Sequence, residues 1–172
     1  MKAKALTLAA FLVISISLAA QENEKIKYSN VTELGYIAVS PKGVMLEVAT
    51  VNGVAIDKQH HFGLGVGFGT NVFHTSFEKV FVFMPIFFNY RNYFKPERNF
   101  SPHLNVSLGG IAMEGGYGFY SSLTMGFRAK AFSFSSGLSF TPMYREVDTY
   151  HFVSNLKWTR LFGIVLKCGF TF

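Results

Sequence analysis

One cysteine, Cys168, stands in the whole chain of 172 residues, so no disulfide can form within it. Charged residues make up only 15% and tryptophan occurs once, which leaves too little charge for the surface of an ordinary water-soluble domain. Beyond residue 20 no apolar run approaches the ~18 residues that mark a membrane-crossing helix. Metal-type spacing is missing as well: His60, His61, His74, His103 and His151 have no second ligand at a suitable interval, so neither zinc nor any other metal or cofactor is expected. These gaps exclude a disulfide scaffold, a helical membrane bundle and a zinc site. What is present is an apolar content of 49%, with 17% aromatic residues and 20 Phe.

The N-terminus joins Lys2 and Lys4 to an apolar run, Ala5 to Leu18, followed by Ser17, Ala19 and Ala20 at its small-residue end and then polar Gln21-Glu22-Asn23. A basic start, a run too short to span a bilayer and a small-residue end describe an export signal, so residues 1–20 are read as a leader cleaved after Ala19 or Ala20, and 21–172 as a single domain. The formal net charge of the chain is +6. That excess is modest and sits mostly in predicted turns, which argues against nucleic acid as a partner and favours anionic lipid headgroups.

The apolar residues are spread by alternation. Phe162, Ile164, Leu166, Cys168, Phe170 and Phe172 share one face of a terminal strand, opposite Gly163, Val165, Lys167, Gly169 and Thr171. Phe62, Leu64, Val66 and Phe68 alternate with Gly63, Gly65, Gly67 and Gly69, and Phe132, Phe134, Leu138 and Phe140 with Ser133, Ser135, Gly137, Ser139 and Thr141. The strict alternation and the lack of a following helix exclude a phosphate loop at these glycines; facing a narrow lumen, they leave room for large groups across the barrel. Further runs fall at Tyr28–Val39, Val44–Ile56, Phe81–Phe94, Leu104–Leu108 and Phe119–Phe127. Two are irregular: Thr50 and Asn52 interrupt an apolar face, and Pro85 predicts a bulge or an unpaired position. The sequon Asn30-Val31-Thr32 lies inside a predicted strand and is set aside.

Eight period-two strands with one apolar and one small or polar face predict an all-β fold, an eight-stranded antiparallel up-and-down transmembrane β-barrel with lipid outside. Short turns are expected at Asp57–His60, Lys95–Asn99 and Ala129–Lys130. Longer connections are expected at Ser40–Gly43, Asn71–Lys79, Glu114–Tyr117 and Met143–Lys157, the last as a projecting hairpin. Leader, short turns, alternating strands and a terminal Phe together resemble the small Gram-negative outer-membrane barrels of the OmpA/OmpX type. The resemblance implies an outer-membrane location reached through the periplasm, and recognition of Phe170 and Phe172 by the barrel-assembly machinery. No counterpart of the peptidoglycan-binding domain of the longer members is expected, so wall tethering is not.

Five charged residues, Glu33, Glu47, Arg91, Arg128 and Lys167, take inward parity and are expected to form an interior ion-pair cluster that fills the lumen, because a lone buried ion is costly. The resemblance implies the same kind of interior network. Tyr28, Tyr90, Tyr93, Phe94, Tyr144, Tyr150 and Trp158 fall near strand ends, where aromatic girdles belong. Lys42, Lys79, Arg145, Lys157 and Arg160 are placed at the outer rim, facing lipopolysaccharide. His151-Phe152-Val153-Ser154-Asn155 faintly resembles the His-x-Ser-Asn motif of lipid A deacylases, with a spacing one residue too long. The leading expectation is therefore a monomeric, non-catalytic barrel serving membrane integrity or surface interaction through its loops, with outer-membrane lipids, lipopolysaccharide and an extracellular ligand as partners. The alternatives are a lipid A-modifying enzyme and a soluble periplasmic lipocalin-like carrier with the faces inverted.

Overall fold

The computed structural model describes residues 26–39, 43–73, 80–113, 116–147 and 155–172. Eight strands occupy them: β1 (Ile26–Val39), β2 (Gly43–Ile56), β3 (His60–Phe73), β4 (Val82–Tyr93), β5 (Phe100–Met113), β6 (Gly116–Ala129), β7 (Phe132–Val147) and β8 (Asn155–Thr171). Each pairs antiparallel with the next, and β8 returns to β1, closing the sheet as an all-β barrel. Closure gives every strand a hydrogen-bonded neighbour on both sides, so the sheet has no free edge strand. At the seam the terminal Phe172 still takes part, its N–H donating to the Asn30 carbonyl at 2.9 Å.

The register is staggered. Neighbours followed from Ser29 run through Gly53, Gly63, Asn89, Ser107, Ser122, Ser139 and Gly163 and arrive at Val39. One circuit therefore climbs about ten residues along β1, the kind of shear by which tilted strands close on themselves. This line is also chemically uniform, because until it reaches Val39 it is built only of Gly, Ser and Asn. Small inward groups let eight strands meet around a narrow axis.

The three predicted short turns all fall at one end, called here the turn end. Asp57 and Lys58 both take positive φ, 52° and 58°, and Gln59 N–H donates to the Ile56 carbonyl at 3.1 Å, as a tight hairpin turn whose twist matches the strands requires. At the opposite, loop end the β7–β8 hairpin stays paired out to Val147 and Asn155. β1 accompanies β8 only as far as Gly163, whereas β6 follows β7 out to Arg145, so it is the β8 side of the hairpin that runs on past its neighbour. Pro85 is unpaired on its β3 side, though it pairs with Ile111 of β5: the β3–β4 ladder is interrupted between Val66–Ile86 and Gly69–Phe83 and resumes in the same register. A residue without an N–H breaks the ladder there without adding a residue.

The two faces divide as alternation requires. Outward side chains include Leu64, Phe68, Ile86, Met125, Ile164 and Phe170, each more than half exposed. Inward, the barrel has two halves. Toward the loop end lie Val39, Met45, Phe83, Ile111, Met143 and Leu161, all buried, in one hydrophobic cluster. Toward the turn end lie buried His61, Arg91, Ser101, His103 and Ser133. Two of the β3 glycines, Gly65 and Gly69, supply space to their neighbours on β4 and not to groups across the barrel, while Gly63 is crowded by β2. Gly65 pairs with Phe87 and Gly69 with Phe83, and a Cβ on either glycine would overlap the partner's ring. Replacing Gly65 with Val should cost about 1–3 kcal/mol by overpacking, read as a lower midpoint in urea unfolding. On a Phe87→Ala background, itself destabilised, Gly65→Val should cost little more; the same cost on both backgrounds would refute the steric account.

Candidate functional site: the charged lumen

Mid-strand parity decides which charges meet. Glu33 of β1 and Lys167 of β8 lie on adjoining strands, Glu33 pairing with Gly169 and Gly35 with Lys167, so both side chains enter the same part of the lumen. Arg91 approaches from β4. Its Nη2 donates to Glu33 Oε1 at 2.5 Å, and Lys167 Nζ stands 3.5 Å from Glu33 Oε2. One carboxylate thus bridges two cations, all three being almost wholly buried. Lys167 Nζ also stands 5.9 Å from the centroid of the Phe87 ring, and Arg91 Nη1 donates to Tyr93 Oη at 3.5 Å.

Glu47, from β2 and nearer the loop end, accepts a hydrogen bond from Tyr120 Oη at 2.9 Å. Tyr120 in turn packs on Phe87, ring centroids 5.0 Å apart. Between β4 and β5, Asn89 Nδ2 donates to Asn105 Oδ1 at 2.7 Å and to Ser107 Oγ at 2.9 Å. Two cations, two carboxylates and a neutral amide ladder therefore occupy the polar part of the lumen. Such groups are tolerated in a dry interior only when paired.

Arg128 does not join them. It is next to last on β6, so its side chain reaches the turn end, where Nη2 donates to the Pro96 carbonyl at 3.1 Å and the guanidinium lies 4.2 Å from the Tyr93 ring centroid. Tyr93 itself departs from the girdle reading. It is buried, with its ring 5.5 Å from that of His103, because it keeps the inward parity of Asn89 and Arg91. Tyr93 is the residue that sequence reasoning misplaced, while Tyr120 has the inward parity its alternation predicts and only its partner, Glu47, was missed. Both were legible from parity alone, being an even number of positions from an inward neighbour.

Of the predicted rim, Arg160 is exposed on the outward side of β8 opposite Pro142. The backbones of Arg145 and Lys157 face each other in the projecting hairpin, while Lys42 and Lys79 lie outside the described residues. The same holds for His151 and Ser154 of the deacylase-like motif. Among the described residues no cluster of three or more metal-type ligands occurs.

No protein-family model matches the chain, and no curated protein does. Among solved structures it is similar to the N-terminal β-barrel domain of Pseudomonas aeruginosa OprF, with a TM-score of 0.47 at 7% identity over 86% of this chain and 98% of that one. It is also similar to Neisserial surface protein A, NspA, with a TM-score of 0.41 at 14% identity over 87% and 98%.

The three-charge bridge has a measurable signature. Glu33→Leu leaves two buried cations without their counter-charge and should cost about 3–5 kcal/mol in urea unfolding. Combining it with Arg91→Leu should cost less than the sum of the single changes. Strict additivity in that double-mutant cycle would show that the pair is not coupled.

Proposed function

We propose that the chain is a non-catalytic integral β-barrel of the bacterial outer membrane, its lumen filled by side chains, serving membrane integrity or surface interaction through the loop end. The carrying observation is the orientation of the two faces. Phe, Leu, Ile and Met side chains stand exposed on the outside, whereas Ser, Asn, His and paired charges are buried inside. In water that arrangement would forfeit burial on nearly every strand; in lipid it places each group in its preferred medium. A lipocalin-like carrier needs the reverse, with the large apolar groups lining a ligand cavity.

Strand length agrees. The shortest strand has 12 residues and the longest 17, against the ~9–11 needed to cross the hydrocarbon core. Exposed Phe94, Phe100 and Phe172 at the turn end, and Tyr117 and Tyr144 at the loop end, would form the two interfacial girdles. The turn end faces the periplasm in this reading. The β7–β8 hairpin projects outward, and lipopolysaccharide with its phosphates lies beside Arg160. Lumen closure comes in two layers, the apolar cluster toward the loops and the Glu33, Arg91, Lys167 bridge below it.

Two outcomes check this reading. Unboiled protein from the outer-membrane fraction should migrate differently in SDS gels from the boiled form, and planar bilayers containing it should show no stepwise conductance. Recovery from the soluble periplasm with no mobility shift would refute the membrane assignment. Steady ion steps from the native protein would refute the filled lumen.

A further inference from the structure

Among the polar residues of the outer face, one set stands at the end of a groove. His60 opens β3 and pairs with Asn92 of β4, and the next outward pair up from the turn end is Phe62 with Tyr90. Tyr90 packs its ring against Phe62, centroids 4.9 Å apart, and stacks on His60 at 6.2 Å. Its hydroxyl lies 2.9 Å from His60 Nδ1 and accepts from Asn92 Nδ2 at 3.2 Å. The ring is therefore tied at its polar tip as well as packed along its face. Ile56 on β2, His60 and Phe62 on β3, and Phe88 and Tyr90 on β4 line an open groove of about 460 Å³, within the ~300–1,000 Å³ usual for a small-molecule site.

The groove begins at the turn end, since Ile56 is the last residue of β2 and His60 the first of β3. Asn92 is two residues from Phe94 of the proposed girdle. The walls are aliphatic and ring surface, and the polar atoms of His60, Tyr90 and Asn92 are gathered at the end nearest the turns. His60 Nε2 has no hydrogen-bond partner among the described residues. The turns around this end are net positive. Lys58 is held by Glu97 at 3.1 Å, which also ties the β2–β3 turn to the β4–β5 turn. Asp57 is then the one remaining acid against exposed Lys95, Arg98 and Lys130 across residues 57–59, 94–99 and 130–131.

We infer that the groove is a phospholipid site, in which one acyl chain of an anionic phospholipid lies along Ile56, Phe62 and Phe88 while its phosphate stays at the turn end, beside His60 and the turn that carries Lys95 and Arg98. The inference rests on the membrane reading above and adds to it a bound lipid of one class, from the periplasm-facing leaflet. A long apolar wall with a polar, cationic end matches an amphiphile, in the orientation that a bilayer imposes. A free phosphate ion would leave the apolar wall uncovered. A zwitterionic lipid fits the wall equally well but gains less from the basic turns, so charge selects the anionic headgroup. Because Tyr90 is held by His60 and Asn92 before any lipid arrives, little side-chain freedom is lost on binding.

The test uses full-length protein folded in a mild detergent, with native mass spectrometry counting the phosphatidylglycerol or phosphatidylcholine that stays attached. The native protein should retain a single phosphatidylglycerol, about tenfold more often than phosphatidylcholine. Ile56→Trp, which fills the groove from its β2 side, should cut retention of either lipid about tenfold. Leu123→Trp, on the exposed face of β6, should leave retention unchanged. Lys95→Gln together with Arg98→Gln should keep the lipid and erase the preference for phosphatidylglycerol. Equal retention in the two Trp variants would overturn the site. A preference absent from the native protein, or one that survives loss of both charges, would overturn the anionic headgroup. A chain that floats with vesicles and keeps its heat-dependent gel shift but retains no lipid would overturn the site and leave the membrane reading standing. Loss of flotation and gel shift together would instead refute that reading, so the two failures are distinguishable.

Discussion

The β1–β8 ladder is the constraint on which everything else in this protein depends. Until those strands pair, the sheet has two open edges and no inside. Once they pair, from Val39–Gly163 down to the Asn30–Phe172 backbone bonds, every strand has neighbours on both sides and each residue is committed to one face. A slip of one residue at that seam would send Leu166 and Phe170 into the lumen and Lys167 out of it. The alternation along β8 therefore acts as a register lock as well as a solubility code.

The interior then has to be filled without stranding a charge. Glu33 solves this by receiving Arg91 from one side and Lys167 from the other, and Glu47 by its bond from Tyr120. Phe87 joins these groups, lying in the space left by Gly65, against Tyr120 and beneath the Lys167 ammonium. Volume and charge are thus matched by the same residues. The polar half and the apolar half of the lumen meet at this ring.

The outer face follows the opposite logic, and one of its polar interruptions is instructive. Thr50 and Asn52 look like noise in the apolar pattern of β2 until β1 is laid beside it, when Asn30 and Thr32 prove to occupy the matching places. Polar groups scattered over two strands become a single bonded unit.

Alternation by itself determined a great deal: the number of strands, which residues face out, the three tight turns and the inward parity of Glu33, Glu47, Arg91, Arg128 and Lys167. A period of two is a local property, and each strand shows it without reference to any other. Which inward residues touch was not legible, because contacts across a lumen depend on the stagger, and the stagger is a sum over eight pairings. Tertiary structure decided that Arg128 turns toward Pro96 and Tyr93 while Arg91 reaches Glu33, that Gly65 and Gly69 accommodate the phenyl rings of adjacent β4, and that the loop-end half of the lumen is mainly apolar. It also decided that four interruptions scattered over two strands form one square, since only the hydrogen-bonded register brings residues far apart in sequence to the same place on the wall.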